Sequence, residues 1–185
     1  MTLTLLGYLP KRRTPVPEWL AGTAAAEICS VSPCVAEPPP DWIERWLHNG
    51  WGFCNSVEDA RSLAVEDPVA YDLFAFAVHD SCYHNGLAEP LGLESPFGQP
   101  ATEPLSPEPL SAQFAALGFD AVSNSGSSFF ECSPLSCNLR AETTRVNRYC
   151  LLDSLEAAEE AARRFSLEQP EPGTYYVLQV LRAVR

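Results

Sequence analysis

Lysine is almost missing from this chain: of its 12 basic residues only Lys11 is a lysine and the others are arginine, set against 24 acidic residues. The resulting formal charge of −12 excludes non-specific nucleic-acid binding, because a phosphate backbone would be repelled. It suits a basic protein partner or plain solubility. Long apolar runs are also lacking. None approaches the roughly 20 residues that span a bilayer, so no membrane contact is expected. The brief apolar stretch at the N-terminus is followed by Lys11, Arg12 and Arg13, whereas a secretion signal carries its basic residues in front. A cytoplasmic protein is expected. Missing too are a P-loop, a glycine-rich dinucleotide turn, HExxH and GxSxG, which removes the commonest nucleotide, zinc-protease and serine-hydrolase chemistries. Histidine is limited to His48, His79 and His84, so few general bases are on offer.

What the chain has is cysteine, seven in 185 residues. Six fall into two sets of the same order. EICSVSPC holds Cys29 and Cys34 and is followed by Cys54 in NGWGFC; FECSPLSC holds Cys132 and Cys137 and is followed by Cys150 in VNRYC. In a reducing compartment such thiols serve as metal ligands, as reactive groups or as small buried apolar side chains.

Read in order, LTLLGYL at 3–9 is a strand, and Pro10–Pro17, with three basic residues between prolines, is a surface loop. EICSVSPC runs from a strand into a turn at Pro33. After three prolines, DWIERWLH at 41–48 has Trp42, Ile43, Trp46 and Leu47 on one helical face. Asn55 with Glu58 reads as the cap of a second helix. YDLFAFAV at 71–78 is apolar on both faces, as a central strand is. Residues 85–113 are rich in proline and turn residues and read as a linker or surface loop. The earlier order then restarts, with AALGFDAV at 115–122, the second CSxxxC turn, Asn147 opposite Asn49, a helix capped at Asp153 with Glu156 as the reciprocal acid and running through LEAAEEAARRF, and a closing strand TYYVLQVLRAV.

The sequence therefore predicts an α+β fold in which two related half-domains, 1–84 and 114–185, each strand, CSxxxC turn, capped helix and strand, pack about a pseudo-twofold axis around a shared sheet. The two halves form one compact domain, joined by residues 85–113, and a monomer is expected. For function, the leading reading is a soluble binding protein with a cysteine-lined site between the halves. As a metal site it would use Cys29, Cys34, Cys132 and Cys137, with zinc the natural ion for four thiolates. HDSCYH offers a smaller ligand cluster in His79, Cys82 and His84. The alternative is a cysteine-dependent hydrolase or transferase using Cys54 or Cys150, each just ahead of a helix whose dipole would favour the thiolate, with His48 as base.

Overall fold

Residues 3–35, 49, 52–64, 70–91, 113–125 and 132–184 are described by the computed structural model. In chain order the elements are β1 (Leu3–Arg12), β2 (Thr14–Pro15), a 3-10 turn at Glu18–Leu20, β3 (Glu27–Ile28), α1 (Val57–Leu63), β4 (Tyr71–His84), β5 (Leu87–Pro90) and β6 (Phe114–Asn124). They continue with α2 (Pro134–Cys137), a 3-10 turn at Arg140–Glu142, α3 (Leu155–Glu168) and β7 (Thr174–Ala183). The fold is α+β, built on an antiparallel sheet of order β1-β4-β7-β6 with β5 paired to the end of β4. YDLFAFAV is interior, as its two-sided apolar character predicts: Phe74, Phe76 and Val78 join one buried cluster and Ala75 another. Along β7, Val177 packs in the cluster of α3, while Leu178 and Val180 pack in the cluster that holds Phe53 and Phe76. Successive side chains alternate across a strand, so these two clusters occupy opposite faces of the sheet there.

Both outer strands are bent at a glycine and covered by a loop that an asparagine organises. In β1 the pairing with β4 slips a residue at Gly7 (φ +138°), and in β6 the pairing with β7 slips at Gly118 (φ +144°). Beside each, an edge residue exchanges two backbone hydrogen bonds with a loop, Tyr8 with Cys54 at 2.9 Å each and Phe119 with Leu152 at 2.8 Å each. Asn49 Nδ2 donates to Leu6 O at 2.7 Å while its Oδ1 accepts from Phe53 N; Asn147 Nδ2 donates to Leu117 O at 2.9 Å while its Oδ1 accepts from Leu151 N. A sheet edge carries unpaired amides and carbonyls, and these loops satisfy part of both edges.

Three expectations change. Pro10–Arg12 is not a loop: it continues β1, and Lys11 is buried. The cap of α1 is Ser56, whose Oγ accepts from Asp59 N at 3.0 Å, because the Asn55 side chain is engaged by Asn49 Nδ2 at 3.1 Å. Likewise Ser154, not Asp153, caps α3 by accepting from Ala157 N. The start of the proline-rich segment also carries structure, since Asn85 and Gly86, both at positive φ, turn the chain into β5. The helix read at 41–48 and residues 92–112 lie outside the described residues.

A Cβ at Gly118 would lie 2.6 Å from Leu152 O, on a φ that L-residues rarely adopt, so Gly118→Ala should destabilise the fold by ~2 kcal/mol or more. Gly22, with nothing within 4 Å of its added Cβ, is the control, and Gly22→Ala should stay within ~0.5 kcal/mol. Urea midpoints of the two variants check this.

Candidate thiol site

The site begins with Lys11. From β1 its ammonium enters the loop after β3 and donates to three successive carbonyls, Ser30 O, Val31 O and Ser32 O, each at 2.7 Å. All three of its protons are used. Burial pulls the amine below its ordinary range, against the opposing pull of Asp120 first and then of the thiols of Cys137, Cys29 and Cys34. The loop is also tied to the far side of the sheet. Ser30 Oγ donates to Asp120 Oδ2 at 2.7 Å, and Ser133 Oγ donates to Asp120 Oδ1 at 2.6 Å. Asp120 is fully buried in β6, and desolvation raises its carboxyl to about 6 even though both hydroxyls, Lys11 and a backbone amide favour its charge.

The two CSxxxC stretches meet beyond this polar seam. In the second, Cys132 bridges to Ser123 of β6, with Ser123 N donating to Cys132 O at 2.8 Å. Pro134 then opens the single turn α2, a position where its missing N–H costs nothing. Cys137 N returns to Ser133 O at 2.8 Å and brings Cys137 back toward Cys132. In the first, Ser32 Oγ accepts from Cys34 N at 3.3 Å and lies 3.3 Å from Cys137 Sγ. The outcome is a sulfur triangle. Cys34 Sγ is 3.6 Å from Cys132 Sγ, and the sulfurs of Cys34, Cys132 and Cys137 all lie within 4.8 Å of one another. Sulfurs bound tetrahedrally to zinc at about 2.3 Å stand about 3.8 Å apart, so the triangle has the dimensions of a thiolate metal site. Three cysteines here can hold a metal ion. Cys34 is exposed and the other two are half-buried, which gives an ion a route in. Desolvation, then the neighbouring thiol of Cys137, raises the Cys132 thiol; Cys137 is raised by burial while hydrogen bonds from Ser32, Ser133 and Ser136 work against that rise.

The remaining candidates go elsewhere. Cys29 is outside the triangle, 3% exposed in the cluster of Phe53 and Phe76. Cys54 and Cys150 are also interior, at 0% and 1% exposure, and burial pushes the thiols of Cys29, Cys54 and Cys150 up to about 12, away from the nucleophilic thiolate. The correspondence between Cys54 and Cys150 also dissolves. Counted from the two asparagines, Cys54 matches Leu152, and Cys150 matches Gly52, both of which hold positive φ and donate their N–H to the asparagine carbonyl. His48 lies outside the described residues. His79, Cys82 and His84 all sit on β4, where His79 and Cys82 are buried and His84 is exposed, and they form no ligand group with one another. His79 Nε2 is 3.1 Å from Asp80 Oδ1 and Nδ1 is 3.9 Å from Glu159 Oε1, yet neither nitrogen makes a hydrogen bond of good geometry.

Sequence reasoning missed Lys11, Ser30, Ser32, Asp120 and Ser133. One signal was available: Asp120 is a charge inside the apolar strand AALGFDAV. No family model matches the chain, and no curated protein or solved structure is significantly similar to it.

The buried thiols set a pH limit on the fold. Cys29, Cys54 and Cys150 ionise near 9 when unfolded and near 12 when folded. Their contribution is complete below pH 9 and is lost as pH rises from 9 to 12, because the unfolded chain gives up protons that the folded chain retains. Unfolding free energy should fall across that window, and Cys54→Ala should flatten the slope; urea titrations at stepped pH under reducing conditions test it.

Proposed function

We propose that this is a binding protein for a thiophilic metal ion, held by Cys34, Cys132 and Cys137 where two distant stretches of the chain meet. The observation that carries the reading is the sulfur triangle. Two thiols 98 positions apart in sequence approach to 3.6 Å, and a third completes a set of metal-site dimensions. Thiolate ligands select zinc and other soft ions over magnesium or calcium. The hydroxyls of Ser32 and Ser136, 3.3 Å and 3.8 Å from Cys137 Sγ, supply the outer hydrogen bonds that orient thiolate ligands. Cys29, assigned to the ion from sequence, has no role in this reading.

The reading includes two related halves meeting at the site, the first supplying Cys34 and the second Cys132 and Cys137. What supports it is the repeated set of a bent strand, an asparagine-held loop and a serine-capped helix: Gly7, Asn49 and Ser56, then Gly118, Asn147 and Ser154. The spacing from asparagine to serine is the same in both.

The test is zinc titration of the reduced protein in competition with a chromophoric chelator. One ion per chain is expected, with affinity reduced by ~100-fold or more in Cys34→Ser, Cys132→Ser and Cys137→Ser and unchanged in Cys29→Ser. Because the raised thiols are protonated at neutral pH, binding must release protons, and affinity should fall steeply as pH is lowered from 8 to 6. Stoichiometric binding that survives all three ligand substitutions would sink the proposal.

A further inference from the structure

We infer that Lys11 is the positioning residue of the thiol site: its ammonium fills a cage of three consecutive carbonyls and so fixes Cys34 against Cys132 and Cys137. The inference rests on the metal-binding reading for its purpose, but its geometry stands independently. Three successive carbonyls turned toward one point place three negative dipole ends close together in a water-poor interior, an arrangement that needs a cation at its centre. The chain's single lysine provides it, with all three N–H bonds at 2.7 Å.

The route from the cage to sulfur is short. The last caged carbonyl belongs to Ser32, whose hydroxyl accepts the Cys34 N–H at 3.3 Å and contacts Cys137 Sγ at 3.3 Å. The first belongs to Ser30, whose hydroxyl accepts Ser32 N–H at 3.0 Å and donates to Asp120 on β6 at 2.7 Å. The charged and titratable groups that face the ammonium are Asp120 on β6, Cys29 and Cys34 on the caged loop, and Cys137 on α2. Lys11 thus lies at the head of a chain of bonds ending at two of the three proposed ligands. Arginine would not substitute, since its planar fork spreads its N–H groups over three nitrogens and cannot present three protons from one atom to converging carbonyls.

The test uses zinc as the probe. Lys11→Met should bind zinc about tenfold more weakly or worse, the loss expected of an outer-shell residue. In Lys11→Ala, methylammonium should restore affinity, whereas tetramethylammonium, which has no N–H to donate, should not. A residue that merely fills core space would show no such selectivity. The wild-type protein supplies a mutation-free readout. With lysine alone isotopically labelled, the chain gives one side-chain NMR signal, and it should move in step with one equivalent of zinc. A folded Lys11→Met that binds zinc within twofold of wild type overturns the inference, as does a lysine signal that stays fixed while the wild type binds zinc; if the variants fail to fold, that signal decides. Should the wild type bind no zinc, the metal reading fails and Lys11 is judged on Cys34–Cys132 disulfide trapping with diamide. Rapid trapping in wild type and slow trapping in Lys11→Met would uphold the positioning role, and equal rates would overturn it.

Discussion

The arrangement depends most on a buried ammonium. A lysine in a protein interior is strongly disfavoured unless every proton is satisfied, and here each proton meets a carbonyl at 2.7 Å. The bonds do more than compensate the charge. They bind β1 to the loop after β3, and the hydroxyl of Ser30 carries the linkage on to Asp120 of β6, at the other end of the sheet path. Asp120 in turn holds Ser133, which leads into the turn bearing Cys137. Apolar packing alone could join these segments, and replacement of a buried ionic network by well-packed hydrophobes is often neutral for stability. What apolar packing does not give is register. Directional bonds of this kind place a backbone to within a few tenths of an ångström, and three sulfurs that must share one ion need that placement.

The local elements were readable because they follow from short-range rules. Short apolar runs marked β1 and β4, the restart of the same order marked β6 and β7, and the alanine-rich stripe of LEAAEEAARRF marked α3, whose Ala158, Ala162 and Phe165 are buried as their spacing requires. The caps were displaced by one residue for a reason the local sequence does not contain. Asn55 and Asp153 are as good caps as the serines that follow them, and in the first helix the choice is made by Asn49 reaching across to Asn55. The loop 10–17 was misjudged by the same kind of long-range event. A run of basic residues between prolines is ordinarily solvated, and only the carbonyls of residues 30–32, some twenty positions onward, make Lys11 an interior residue.

For the thiol site, the pattern in the sequence was informative about the turns and misleading about the third cysteine of each set. Cys29, Cys34, Cys132 and Cys137 were grouped from the sequence because CSxxxC places two thiols at the ends of a compact turn, and three of the four form the triangle. Cys29 begins such a turn too, but its backbone N–H is bonded to Tyr149 O at 3.2 Å, on the route into the core, and its side chain follows into the cluster of Phe53. Cys54 and Cys150 looked equivalent because each precedes a capped helix. Their backbones show otherwise, since Cys150 occupies a positive-φ position that glycine holds in the other loop. A cysteine count cannot detect a two-residue offset; hydrogen bonds from Asn49 and Asn147 can.

One residue type therefore has two physical roles in this chain, separated by what surrounds each sulfur. Cys29, Cys54 and Cys150 are buried within the two apolar clusters, and burial raises each of these thiols and leaves it a small hydrophobe. Around Cys137 the environment changes, with two serine hydroxyls close enough to oppose the desolvation. Cys34 and Cys132 reach the surface beside it. Serine is the residue that makes the difference: in CSVSPC and CSPLSC it supplies hydroxyls to Asp120 on one side and to sulfur on the other. Substituting alanine throughout would preserve the turn lengths and the cysteines and would remove both the tether that holds the turns in place and the donors that favour a thiolate. The chemistry of the site lies as much in the serines between the cysteines as in the cysteines.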